Sequence, residues 1–136
     1  MNTAAAKSPK PLRMNQKAVL IPAAQYQIWY DQAVLMPGLS ALDRAILGAI
    51  AEHYRRLHVE GFAGSLSFMR LADANDTDPK YIQAAVKHLV ELGLIAVKPG
   101  GGHRANTYLP CLPRRIAKLM LAAAAEDDVP PFVEFD

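Results

Sequence analysis

The sharpest structural instruction in this chain is the pair Asp78-Pro79. An aspartate there can accept a hydrogen bond from an unpaired first-turn N–H, and a proline in the first helical position loses nothing by lacking a donor. Together they fix where a helix begins. From that point Ile82, Ala85, Val86, Leu89 and Leu92 recur at helical spacing as one apolar stripe, while Lys80, Gln83, Ala84, Lys87, His88 and Glu91 lie off it. The helix is expected over 79–92 and should stop at Gly93, a residue suited to the left-handed conformation just past a helix end.

An amphipathic helix must bury its stripe against something, and the flanking sequence offers candidates on both sides. Upstream, Ser67 is a plausible N-cap for a helix running through Phe68, Met69, Leu71 and Ala72 to Ala74, which Asn75-Asp76-Thr77 then breaks. Downstream, Leu94 to Val97 reads as a strand, Gly100-Gly101-Gly102 as a tip, and Asn106 to Leu109 as the returning strand. The spacing predicts two helices about a short turn, then a hairpin with basic residues near its tip.

Ser40 and Asp43 signal another helix start, and Leu42, Ala45, Ile46, Ala49, Ile50, His53, Tyr54 and Leu57 follow at helical spacing. This helix is expected to be the scaffold. Arg55, Arg56 and His58 at its end suit the negative pole of the helix dipole, with phosphate contact as the alternative. Leu66 is expected to pair as a short strand beside the hairpin.

Nearer the N-terminus, Ala18 to Ile21 is a short apolar run, a strand or an extended arm. Ala23 to Leu35 reads as a helix of broad apolar coverage, whose Trp29 and Tyr30 should pack on the same domain or in a dimer interface. After Pro110 and Pro113, Arg114 to Ala125 reads as a last helix with Ile116, Leu119, Met120 and Ala123 on one face.

The ordered set formed by Leu71-Ala72, by Ile82, Val86 and Leu89, by the phrase Leu89 to Ile95 and by the return segment Arg104 to Tyr108 resembles the winged helix-turn-helix domains of bacterial and phage DNA-binding proteins. The Asn106-x-Tyr108 return is similar to that of plasmid and phage replication proteins, so the resemblance implies either transcriptional or replicative control. It departs from the common pattern at Asn75-Asp76, where relatives carry a glycine-containing turn, and at Ala84, where many carry a base-reading polar residue. The fold implied is α+β, mainly helical, with a small antiparallel wing and extra terminal helices, the core lying over 39–109.

By the same resemblance the 79–92 helix enters the major groove of double-stranded DNA, which displays a distinct donor and acceptor pattern for each base pair. Gln83 is the best base-reading candidate, Lys80 and Lys87 contact bases or phosphates, and Ala84 offers only a methyl contact. Lys98, His103 and Arg104 in the wing are expected on phosphate or in the minor groove, with Arg70 and Thr77 as further phosphate candidates near the turn. Terminal helices often join two copies in such regulators, so a homodimer is also implied.

Charge distribution matters more here than the net +2. Residues 1–17 carry four bases and no acid, and residues 64–115 carry seven bases against four acids, whereas residues 116–136 carry one base against five acids. A flexible basic arm over 1–17, a domain over 18–125 and an acidic tail over 126–136 follow; Lys7, Lys10, Arg13 and Lys17 of the arm are either solvated or able to follow a DNA backbone or enter a minor groove, and the tail is able to dock on a protein partner or to compete with DNA for the basic face.

Cys111 is the single cysteine, so neither an intramolecular disulfide nor a cysteine-rich zinc site is available, and it is expected to be a small semi-buried hydrophobe. The histidines His53, His58, His88 and His103 lack metal-ligand spacing, and the triple glycine lacks the Lys-Ser/Thr ending of a phosphate loop. No enzyme activity, metal or cofactor is expected. With no long apolar segment and no signal-peptide core, the expectation is a cytoplasmic, nucleoid-associated protein without membrane attachment. The alternative from another class is a winged protein–protein interaction module in a replication or regulatory complex.

Overall fold

The computed structural model describes residues 11–101 and 105–126, with side chains through Met120. Lys7, Lys10, His103, Arg104 and the acidic tail beyond Glu126 lie outside the described residues.

In chain order the elements are strand β1 (Ala18–Leu20), a 3-10 turn (Ala23–Gln25), helix α1 (Tyr26–Ala33), helix α2 (Ala41–Arg55), a π turn (Arg56–Glu60), helix α3 (Phe68–Ala74), helix α4 (Pro79–Glu91), strands β2 (Ile95–Lys98) and β3 (Thr107–Pro113), and helix α5 (Arg114–Glu126). The described chain is therefore α+β and mainly helical. Its antiparallel sheet has the order β1-β3-β2.

The starts of α2, α3 and α4 are each set by the residue that caps them. Ser40 and Asp43 form a reciprocal capping box on α2, with Asp43 N donating to Ser40 Oγ at 3.0 Å and Ser40 N donating to Asp43 Oδ2 at 2.9 Å. Ser67 Oγ accepts from Arg70 N at 3.2 Å, and Asp78 Oδ1 accepts from Lys80 N at 3.0 Å. Between α3 and α4 the chain reverses through Asp76 at φ 50°, an aspartate in the left-handed region where glycine is more usual. Asn75 Nδ2 donates to Leu71 O at 2.8 Å and Thr77 N to Ala72 O at 2.9 Å, so the turn satisfies the last carbonyls of α3. Gly93, at φ +79°, ends α4. A Cβ there would come within 3.3 Å of Ala18 Cβ, so the residue meets a steric need as well as a backbone one.

The predicted stripes do meet. Ile46, Leu47 and Ile50 of α2 and Ile82, Val86 and Leu89 of α4 are all buried in one core. Trp29 is fully buried, and its indole N–H is shared between Leu94 O and Cys111 O at 2.9 Å each. That donor pins α1 to β3 and to the entry of β2. Burial of so large a side chain contributes at most about 4–6 kcal/mol of transfer free energy. Trp29 thus packs on its own domain.

Three expectations about the sheet need correction. Leu66 belongs to no strand and is a half-buried residue packed on the core, because β1 fills the third position in the sheet instead. The return strand does not end at Leu109 but continues through Pro110, Cys111 and Leu112 to Pro113. The prolines are tolerated through strand alternation. Cys111 N donates to Leu94 O, so the nitrogen of Pro110 turns towards β1 just beyond its last paired residue, and that of Pro113 turns towards the β2 side before β2 begins. Cys111, expected to be semi-buried, is wholly buried, and burial pushes its thiol up to about 12.

The 23–35 helix is shorter than expected, beginning as a 3-10 turn and ending at Ala33. Part of the α5 stripe is used within the chain: Ala117 is buried, and Ile116 and Met120 pack against the main core. Leu119 points outward at 65% exposure. Among the described residues no helix is long and apolar enough to cross a membrane.

Candidate nucleic-acid interface

Helix α4 presents two contrasting faces. Ile82, Ala85, Val86 and Leu89 are buried, whereas Lys80, Gln83, Ala84 and Lys87 are exposed. The exposed four stand at positions i, i+3, i+4 and i+7, so they share one face along about two turns. Lys80 lies beside an aromatic ring, its Nζ 5.2 Å from the centroid of Tyr81. Among the described residues neither lysine of the row, nor Lys98 at the end of β2, joins a salt bridge.

Gln83 and Lys87 open onto a cleft of about 570 Å³ between α4 and β2, with Phe68, Val86, Val90 and Val97 supplying its apolar lining. Arg13 and Glu91 complete its polar rim. Sequence reasoning assigned Arg13 to a flexible arm. In the structure it forms a two-way backbone bridge with Val97, Arg13 N donating to Val97 O at 2.9 Å and Val97 N to Arg13 O at 2.8 Å. Residues 11–17, the described part of the basic arm, are laid along the fold and fastened at further points. Asn15 Nδ2 donates to Glu91 O at the end of α4 at 2.7 Å, and Arg114 N donates to Lys17 O at 2.7 Å. The signal for this was Leu12-Arg13-Met14, an apolar–basic–apolar alternation of strand type.

Other basic candidates are committed elsewhere. Arg70 donates to Ser65 O at 2.9 Å and lines a separate cleft beside His53 and Arg56, so it does not share the Gln83–Lys87 face. Arg55 is bound by Glu52 at 2.7 Å and Glu60 at 2.8 Å, and those two carboxylates raise its already high pKa. Arg56 lies 3.8 Å from Glu60, and the His58 ring stacks on Tyr26 at 6.3 Å. These contacts favour the local, helix-end role for Arg55, Arg56 and His58. Thr77 is half-buried at the turn, its backbone N–H bound to Ala72.

The most unexpected polar contact supports the row from behind. Asp43 is only 2% exposed, and its Oδ2 accepts from Ser40 N and also meets His88 Nδ1 at 2.9 Å. His88 belongs to α4, so the capping carboxylate of the scaffold helix also holds the exposed helix in rotation and height. Near the other end of α2, Tyr54 donates its hydroxyl to the carbonyl of Tyr108, joining α2 to β3. Burial pushes both phenols up to about 12, an effect that Arg13 and a bond with Asn106 partly offset at Tyr108. His53 is held below the usual histidine value, chiefly by burial.

Around the apolar cleft stand the Gln83 amide, the Lys87 ammonium, the Arg13 guanidinium and the Glu91 carboxylate, with the Lys80 ammonium further along the α4 row. Cations of this kind can pair with anionic groups, and an amide can both donate to and accept from a hydrogen-bonding edge. Among the described residues no group of three or more histidine, cysteine, aspartate or glutamate side chains is arranged to hold a metal ion. The chain matches no protein-family model, no curated protein and no solved structure.

Proposed function

We propose that this protein is a winged helix-turn-helix module that binds double-stranded DNA sequence-specifically, with α4 in the major groove and the β2–β3 hairpin against the backbone or minor groove. The observation that carries the reading is the exposed row Lys80, Gln83, Ala84 and Lys87 on a helix whose opposite face is fully buried. A helix braced in this way can enter a groove without unfolding its own core. The major groove is about 12 Å wide and admits an α-helix, with the Gln83 amide suited to an adenine edge and the lysines suited to phosphates. The order α3, turn, α4, hairpin and the basic balance of residues 64–115 support the same conclusion. The role in the cell is control of transcription or of plasmid or phage replication.

Selection from a pooled random-duplex library tests this reading. A motif enriched by the intact chain and lost by a Gln83→Ala, Lys87→Ala variant supports it; no enrichment and no duplex affinity at low salt refutes it. A palindromic motif would also favour two copies per site, meeting through terminal helices where Leu119 is exposed. A second reading, a protein-interaction module, is favoured by outward-facing Val59, Phe62 and Met69, which are 66%, 70% and 61% exposed. Retained partner binding by a chain with no duplex affinity would select it.

A further inference from the structure

The arm segment around Arg13 behaves as an added edge strand, and its alternation determines where the guanidinium goes. In an antiparallel pair, directly opposed residues share a face of the sheet. Val97 opposes Tyr108 and faces the main core, while Ala96 opposes Leu109 on the other face with Ala18 and Cys111. Leu12 and Met14 pack on that second cluster. Arg13, bridged to Val97, is therefore turned to the α4 side, where it lines the cleft with Gln83 and Lys87. Two apolar neighbours hold the arm down, and the single base between them faces the row on α4.

We infer that Arg13 is a DNA-backbone contact delivered by the arm, so that a phosphate on the flank of the groove occupied by α4 is held between Arg13 and Lys87. The inference rests on the DNA reading above and adds a residue outside the helix-turn-helix and the hairpin. Its physical basis is pre-organisation. A guanidinium on a tethered strand loses less freedom on binding than one on a free tail, and its planar fork suits phosphate oxygens. Glu91, one turn beyond Lys87 on α4 and lining the same cleft, sets a limit to it by repelling a second phosphate. The contact is therefore assigned to the Arg13–Lys87 side and to one phosphate.

The test compares the full chain with Arg13→Gln and Arg13→Lys, measuring affinity for one mixed-sequence duplex over a range of salt. Hydrogen exchange at the Val97 amide, whose bridge uses only backbone atoms of residue 13, reports whether the arm stays docked. Losing one phosphate contact should lower the slope of log affinity against log salt by about 0.9, which extrapolates to roughly eight-fold weaker binding at about 0.1 M salt. The expected result is that loss in Arg13→Gln, recovery of the slope in Arg13→Lys, and Val97 protection in all three chains. An unchanged slope in Arg13→Gln, or no recovery by lysine with Val97 still protected, overturns the assignment of Arg13 alone. Loss of Val97 protection in Arg13→Gln would overturn the claim that backbone bonds dock the arm. Absence of duplex affinity in the unaltered chain overturns the DNA reading itself.

Discussion

Removing Asp43 should disturb α4 from a distance, because one carboxylate performs two tasks. Asp43→Ala deletes the acceptor for Ser40 N and the partner of His88 Nδ1, both at 2.9 Å. Loss of a cap costs about 1 kcal/mol, and loss of a hydrogen bond to a charged group about 1.5–3 kcal/mol. Relief of the desolvation of a carboxylate that is only 2% exposed offsets part of that, leaving a net destabilisation of about 2 kcal/mol. For a domain of this size the melting temperature should fall by roughly 8 °C. Urea unfolding followed by the fluorescence of Trp29, the single tryptophan, gives the free energy directly. The combination with His88→Ala completes a double-mutant cycle. If the two residues act through each other, the coupling should be about 1 kcal/mol, since contacting pairs are non-additive on that scale. Additivity within about 0.3 kcal/mol would refute the tie between α2 and α4.

Gly93→Ala should destabilise by about 1–2 kcal/mol, because alanine is strained at φ +79° and its Cβ would approach Ala18 Cβ to 3.3 Å; denaturant titration measures it. At high pH, Tyr54 and Tyr108 should contribute a common loss of stability, since burial raises both phenols from about 10 to about 12. Raised folded values mean that this contribution is complete below pH 10, declines as pH rises and is gone above about 12. Tyr54→Phe should flatten that alkaline limb in a melt series, and an unaltered limb would contradict the assignment.

The local signals were readable in the sequence because each is a short-range device. Ser40 with Asp43, Ser67, Asp78-Pro79 and Gly93 act within a few residues of the backbone they cap, and the stripes of α2 and α4 follow from one period. The exposed row on α4 was legible as the complement of its buried stripe. What was hidden depends on partners brought from afar. The 18–20 segment could be a strand or an arm until β3 was shown to extend past Pro110 as far as Pro113 to receive it. His88 and Asp43 are separated by 45 positions, and nothing in either local pattern links them. Arg13 was legible as an arm base, solvated or following DNA, but not as a docked one, because its alternation spans only three residues, too short to indicate a strand without Val97 beside it. Its place in the cleft came from pairing, which a single sequence does not display.

The central claim concerns which surface meets DNA, and amide chemical-shift mapping of the labelled full chain, titrated with a duplex at low salt, addresses it most directly. The account predicts perturbations along Lys80, Gln83, Ala84 and Lys87 and around Lys98, with the buried face of α4 and the outward face of α1 little changed. Shifts confined to α1 and α5, or none at saturating duplex, would contradict it.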